Sequence, residues 1–179
     1  MNDRELSIAV LTCSDRCFAG NTMNTGGPAV AQAAVRILGG QVVAECCVPD
    51  NQAAICEQLR RWTQTGAEIQ PDIIFTTGGT GLAPRDVTPE ATLAVLDRRC
   101  AGLMELARLR CMGKNPRACL SRGEAGTVGQ QLIINLPGSP RGAVEMIEAL
   151  ADILPHALGV LHGQDNHPDS RVPPPHAEP

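Results

Sequence analysis

Aromatic side chains are scarce in this sequence: two Phe, one Trp and no Tyr among 179 residues. That scarcity argues against a platform on which single-stranded bases stack. Basic charge is not in excess either, since 15 Lys and Arg against 19 Asp and Glu leave a net charge of -4. General nucleic-acid binding by phosphate neutralisation is disfavoured, while a local basic pocket for a phosphorylated small molecule is not. No apolar run approaches the roughly 18 residues of a membrane span, and Met1-Asn2-Asp3-Arg4-Glu5 lacks the basic-then-apolar layout of a secretory signal. The expectation is a cytoplasmic protein with no membrane and no nucleic-acid partner. Eight cysteines are present, but Cys-x-x-Cys spacing is missing and the four histidines all lie at or beyond His156. The thiols read as free, with Cys13, Cys46, Cys47 and Cys56 in apolar patterns as small structural side chains.

What is present is one core's worth of apolar residues, 43% of the chain, with 18 glycines to punctuate it. One domain is expected over residues 1–163, followed by a loosely attached Pro/His-rich tail over 164–179. Ser7 to Cys13 is a short apolar run that delivers a polar turn, Ser14-Asp15-Arg16, as a buried strand would. Pro28 opens a helix over Ala29 to Leu38 that Gly39-Gly40 stops. Gln41 to Val48 reads as a strand, and a helix follows from Asp50 to about Thr65. Asp72 to Thr77 is a third strand, after which Thr88-Pro89-Glu90 supplies an N-cap, an N1 proline and an acidic first turn. Residues 100–112 form a helix with Leu103, Leu106 and Ala107 on one side and Arg108 and Arg110 exposed. Leu132 to Leu136 is the last buried strand, and Arg141 to Leu161 carries helical periodicity interrupted at Pro155. Such alternation predicts the α/β class, a mostly parallel sheet covered by helices.

In a sheet of that kind ligands bind outside the carboxyl ends of the strands. Those ends are Ser14-Asp15, Pro49-Asp50, Gly78 to Gly81 and Pro137-Gly138-Ser139. Gly78, Gly79 and Gly81 permit close backbone approach to a phosphate or carboxylate, and Thr76, Thr77 and Thr80 offer hydroxyl donors. Neither a Walker loop nor a dinucleotide fingerprint is met, because no Gly-Lys-Ser/Thr occurs and Pro84 stands where a glycine is needed. An ordinary tight loop is an equal reading of the glycine turn alone. Its neighbours favour chemistry: Arg85 is a bidentate phosphate donor, and Asp86 and Asp50 are carboxylates suited to magnesium shared with substrate phosphate. Each has a bland alternative, a surface ion pair for Arg85-Asp86 and a helix-dipole partner for Asp50. Two strand-end carboxylates flanking one anion loop suit metal-assisted phosphoryl or nucleotidyl transfer. Leu120-Ser121-Arg122-Gly123-Glu124-Ala125-Gly126 is either a second anion clamp or a flexible hairpin turn.

Taken in order, Thr76 to Gly81, Pro84-Arg85-Asp86-Val87-Thr88-Pro89-Glu90-Ala91-Thr92, Leu120-Ser121-Arg122 and Leu132 to Gly138 closely resemble the molybdopterin adenylyltransferase family. That family includes the bacterial Mog and MoaB proteins and the gephyrin G domain. The resemblance spans about residues 6–163. It implies a three-layer α/β/α fold, a homotrimer, and magnesium-assisted transfer of AMP from ATP to the terminal phosphate of molybdopterin, with pyrophosphate released and the product passed towards a molybdenum-insertion protein. By the same resemblance Asp50 and Asp86 are catalytic and hold Mg2+. Ser14, Asp15, Thr77, Gly78, Gly79, Thr80, Gly81, Arg85, Ser121, Arg122, Pro137, Gly138 and Ser139 surround nucleotide and pterin. The other reading is a carrier or scaffold that binds molybdopterin without adenylating it. Two departures stand out: Asn24-Thr25-Gly26-Gly27-Pro28 where relatives read Asp-Arg-Ser-Gly-Pro, and Gly126-Thr127-Val128-Gly129 where they read Gly-x-Arg/Lys-Gly. The absent basic group near Val128 is expected to weaken phosphate affinity unless Arg122 or Arg141 suffices.

Overall fold

Alternate side chains of three central strands feed two separate cores, which is why those strands read as unbroken apolar runs rather than as alternating ones. The computed structural model describes residues 5–163; the segment 164–179, read above as a tail, lies outside the described residues. Its elements are β1 (Ser7–Cys13), α1 (Asp15–Phe18), α2 (Gly26–Leu38), β2 (Gln41–Val48), α3 (Gln52–Thr63), β3 (Ile73–Thr77), α4 (Thr88–Leu93), β4 (Arg98–Arg99), α5 (Ala101–Met112), a 3-10 turn (Pro116–Leu120), β5 (Ala125–Val128), β6 (Gln131–Leu136), α6 (Pro140–Leu150) and α7 (Leu154–Leu161). Ile8, Val10, Ile73, Phe75, Leu132, Ile134 and Leu136 point to a core with α2, α5, α6 and α7. Ala9, Leu11, Cys13, Ile74 and Ile133 point to the opposite core, closed by α3 and α4. The result is the three-layer α/β architecture, with a six-stranded sheet in the order β2-β1-β3-β6-β5-β4.

Pairing is parallel from β2 through β1 and β3 to β6. The chain therefore leaves β1, pairs to one side as β2, and crosses back to pair on the other side as β3. That reversal is the topological switch point, where helices diverge and leave a crevice. Beyond β6 the sheet turns antiparallel through β5 and the two-residue β4. Neither β5 nor β4 was expected from the sequence, because Ala125-Gly126-Thr127-Val128 has two residues of low strand propensity and is recruited by pairing rather than by its own pattern.

Three sequence expectations shift in detail. Asn51, whose side chain accepts from the Ala54 N–H at 3.1 Å, caps α3, leaving Asp50 outside the helix. Val87 precedes α4, so Thr88 is its first helical residue and not its cap. The 141–161 periodicity is two helices; the chain breaks at residues 151–153 and Pro155 lies in the first turn of α7, where its missing N–H costs nothing.

Candidate functional site

The parallel register brings Ser14-Asp15, Asp50, Gly78 to Gly81 and Pro137 to Ser139 to one edge of the sheet. Leu11 and Thr12 of β1 lie opposite Thr76 and Thr77 of β3, which in turn lie opposite Asn135 and Leu136 of β6. Beneath this edge Asn135, fully buried, donates from Nδ2 to Thr76 Oγ1 and Thr92 Oγ1, both at 2.9 Å, and accepts the Glu124 N–H at 3.1 Å. Thr77 Oγ1 donates to the Pro137 carbonyl at 2.8 Å. The threonines read as ligand donors are thus partly structural: Thr76 and Thr77 fasten β3 to its neighbours.

Gly78 has φ 103° and its Cα faces the Cys13 carbonyl so closely that a Cβ would collide with it. Gly79 follows with φ 61°, its missing side chain leaving room for the Thr88 hydroxyl. The turn puts two carboxylates beside the same backbone: a Cβ at Gly79 would lie 3.4 Å from Asp50 Oδ1, and one at Gly81 would lie 2.8 Å from Asp86 Oδ2. Asp50 is set by a reciprocal pair, its N–H donating to Asp15 Oδ1 at 2.9 Å while its Oδ2 accepts the Asp15 N–H at 3.0 Å. Asp86 is set by its own loop, Oδ2 accepting the Ala83 N–H at 2.9 Å. Burial, and then the nearby charge of Asp86, push the Asp50 carboxyl above its ordinary value. Ser14 caps α1 through the Cys17 N–H at 3.3 Å, and Arg85 pairs with Asp15 across the top.

On the β6 side a cleft of about 400 Å³ is lined by Gly79, Thr80, Gly81, Asp86, Ser121, Pro137, Gly138 and Ser139. Further lining residues, among them Asn115, Arg117 and Glu145, were not expected from the sequence; the turn-forming pair Asn115-Pro116 is the local signal that could have marked that wall. Asp86 is the residue common to the cleft and to the carboxylate pair. The N-terminus of α2 abuts the same place, since a Cβ at Gly26 would lie 3.4 Å from the Gly138 carbonyl oxygen and from Thr77 Oγ1. Its Gly27 N–H is capped at 3.0 Å by Asn24 Oδ1, a neutral group, so the positive end of the helix keeps its attraction for an anion.

Three sequence expectations are corrected here. Val128 ends β5 at the amino edge of the sheet, lining a different cleft of about 660 Å³ with Leu6, Asp72 and His162. The basic group it lacks therefore does not bear on the glycine turn. That second cleft is larger, but it lies where helices α2 and α3 end, and among its lining residues Asp72 is the one carboxylate, so no carboxylate pair borders it. Segment 120–126 is neither a flexible turn nor an open clamp: it is the end of a 3-10 turn, a short extended link and β5, and the Arg122 guanidinium within it is engaged by protein acceptors. Arg108, read as exposed, is part-buried and donates to the Ser121 and Gly123 carbonyls at 3.3 and 3.1 Å.

Fold and loops define a class: a mostly parallel α/β protein with a glycine turn at its switch point and two carboxylates beside it. The chain matches the family model described as "Probable molybdopterin binding domain" over residues 9–156, and it belongs to that family. It is 38% identical over 160 residues to the Escherichia coli (strain K12) protein named molybdopterin adenylyltransferase, covering 88% of this chain and 79% of that protein. It is also 38% identical over 156 residues to the Drosophila melanogaster protein named molybdenum cofactor synthesis protein cinnamon, covering 87% of this chain but 26% of that one. The chain thus spans about a quarter of the length of that longer relative. Among solved structures, the molybdopterin biosynthesis enzyme MoaB from Thermus thermophilus superposes with a TM-score of 0.81 at 46% identity, covering 88% of this chain and 97% of that one. The family resemblance read from the motifs is confirmed.

Proposed function

We propose that this chain acts in molybdenum cofactor biosynthesis as a magnesium-dependent molybdopterin adenylyltransferase, moving AMP from ATP to the terminal phosphate of molybdopterin and releasing pyrophosphate. The observation that carries the reading is the placement of Asp50 and Asp86 beside one glycine turn at the switch point, each oriented by a backbone N–H. The relatives named molybdopterin adenylyltransferase support it.

Mg2+ fits this donor set. Two carboxylates converge, and among the described residues no group of three or more His, Cys, Asp or Glu forms a closed cage. Such a site leaves positions for water and substrate phosphate, as magnesium requires. When bound there the ion would neutralise charge on the transferring phosphoryl group. Asp50 and Asp86 would hold it. The Gly78 to Gly81 backbone and the α2 N-terminus receive phosphate oxygens, and the 400 Å³ cleft takes the heterocycle of one substrate between Ser121 and Pro137-Gly138-Ser139. Arg85, whose side chain is 59% exposed in its pair with Asp15, is weakly held and can turn to a phosphate. No covalent nucleophile on the protein is required, because in-line transfer depends on positioning and charge neutralisation.

The reading includes a homotrimer. Helix α5 supports it: Leu109 is 69% exposed and Met112 41%, on a helix whose inner face already buries Met104, Ala107 and Cys111.

Purified protein incubated with molybdopterin, ATP and Mg2+ is expected to yield adenylyl-molybdopterin and pyrophosphate. Asp50→Asn and Asp86→Asn should each lower turnover at least about tenfold, or about 1.4 kcal/mol of barrier. Tight molybdopterin binding without product would instead identify a carrier, and unchanged turnover in both variants would remove the metal assignment.

A further inference from the structure

Arg122 was expected to face substrate phosphate. Its guanidinium is occupied otherwise: Nε donates to the Gly81 carbonyl at 2.7 Å, Nη2 donates to the Asp86 carbonyl at 2.6 Å, and Nη1 meets the Glu90 carboxylate. Its own N–H donates to the Thr80 carbonyl at 2.8 Å. One residue therefore ties the start of the 80–90 loop, the end of that loop and the first turn of α4. Between those ties the Asp86 carboxylate closes the loop on the Ala83 N–H at 2.9 Å.

The strand-side segment that carries Arg122 is itself anchored. Arg108 on α5 donates to the carbonyls on both sides of it, at Ser121 and Gly123. Buried Asn135 accepts the Glu124 N–H, and the Asn135 N–H donates to the Glu124 carbonyl at 2.9 Å. The loop bearing Asp86 is thus referred to the rigid β6 strand through a planar fork. A guanidinium presents several fixed donors and can serve separated acceptors at once, which the compact ammonium of lysine cannot. Turning Arg122 to a phosphate would strip two backbone carbonyls and a carboxylate of their donor.

We propose that Arg122 is a positioning residue that fixes the Asp86 carboxylate relative to Asp50, and not a ligand of the substrate phosphate. The inference rests on the metal-holding reading of Asp50 and Asp86 given above. Glu90 belongs to the same device: it meets Arg122 from α4 and is not among the residues lining the cleft.

The test uses the full chain with Arg122→Lys, Arg122→Met and Glu90→Gln. Three quantities are read: Mn2+ binding as a magnetic-resonance probe of the carboxylate pair, amide hydrogen exchange over residues 80–90, and the KM for molybdopterin separately from kcat. Both Arg122 variants should weaken Mn2+ binding about tenfold, as loss of a partner that orients metal-holding groups does. Glu90→Gln should weaken it in the same direction by a smaller factor. Exchange over 80–90 should quicken in all three variants, kcat should fall, and the KM for molybdopterin should stay within about twofold. An anion clamp gives the opposite pattern: Arg122→Lys close to wild type, Arg122→Met raising KM, and Mn2+ binding and exchange unchanged. That pattern overturns the proposal. If Arg122→Met does not fold, Glu90→Gln and Arg122→Lys decide alone. A wild type that binds Mn2+ but makes no adenylyl-molybdopterin sinks the adenylyltransferase reading and leaves the positioning role supported by the other arms. A wild type that binds no Mn2+ sinks the metal assignment, and unchanged exchange over 80–90 in Arg122→Met then overturns the positioning role as well.

Discussion

Asp50 shows how a residue can be set for chemistry against the interest of the fold. Burial and the charge of Asp86 hold its carboxyl above its ordinary value, so the folded state binds this proton more tightly than the unfolded chain does. The sign follows from linkage: the group contributes nothing below the ordinary carboxylate range, and an increasing penalty as pH rises through the raised value. Asp50→Asn keeps the oxygen that accepts the Asp15 N–H and removes the penalty. It is expected to melt above wild type at neutral pH and level with it in strong acid, in scanning calorimetry, while losing turnover. The acid limb of wild-type turnover should shift towards higher pH than an ordinary carboxyl gives, because a protonated Asp50 cannot hold a cation. Gly78 is constrained in another way. With φ 103° and the Cys13 carbonyl against its Cα, Gly78→Ala should cost about 3 kcal/mol or more in urea unfolding. Cys13 itself, its thiol pushed up to about 12 chiefly by burial, should resist alkylation in the native protein while exposed Cys119 reacts.

At the scale of elements, the strand-end loops are held from below by polar groups that the hydrophobic pattern conceals. Asn135 interrupts the run Leu132-Ile133-Ile134-Asn135-Leu136, and its side chain joins β3, β6, α4 and the link before β5. Asn135→Ala would leave the Glu124 N–H and two buried hydroxyls short of a partner. A loss of about 3 kcal/mol is expected from denaturant unfolding, with faster hydrogen exchange near Thr76 and Glu124. The parallel core of the sheet was legible in the sequence because β1, β3 and β6 are buried on both faces and read as continuous apolar runs. β4 and β5 were not legible: Arg98-Arg99 is exposed and Gly126 sits in mid-strand, so only pairing, of β5 with β6 and of β4 with β5, makes strands of them. The helix break lies at 151–153 and not at Pro155 for a related reason, since a proline that could end one helix can as readily begin the next.

For the whole molecule, the site gathers at the switch point because β1 is flanked by β2 on one side and β3 on the other. The carboxylates from the β2–α3 and β3–α4 connections meet only there. The homotrimer proposed above would cover the outer face of α5, where Leu109 faces outward although the inner face is already filled. Light scattering is expected to give three times the monomer mass, and Leu109→Glu should lower it while the circular dichroism spectrum is retained. Burying a charged carboxylate against a partner's apolar surface costs more than a contact of this size returns.

Local sequence alone determined the α/β class, the three central strands and the loops that end them, because the relevant causes act over a few residues: apolar periodicity, glycine's freedom at positive φ, and proline in a first helical turn. The motif order from Thr76 to Gly138 pointed to the family for the same reason. Tertiary structure alone decided what Arg122 and Val128 face. One is tied to the carbonyls of a loop far earlier in the chain, and the other is carried by an antiparallel strand to the opposite edge of the sheet. A side chain's partner across that distance depends on strand order and direction, which no local pattern records.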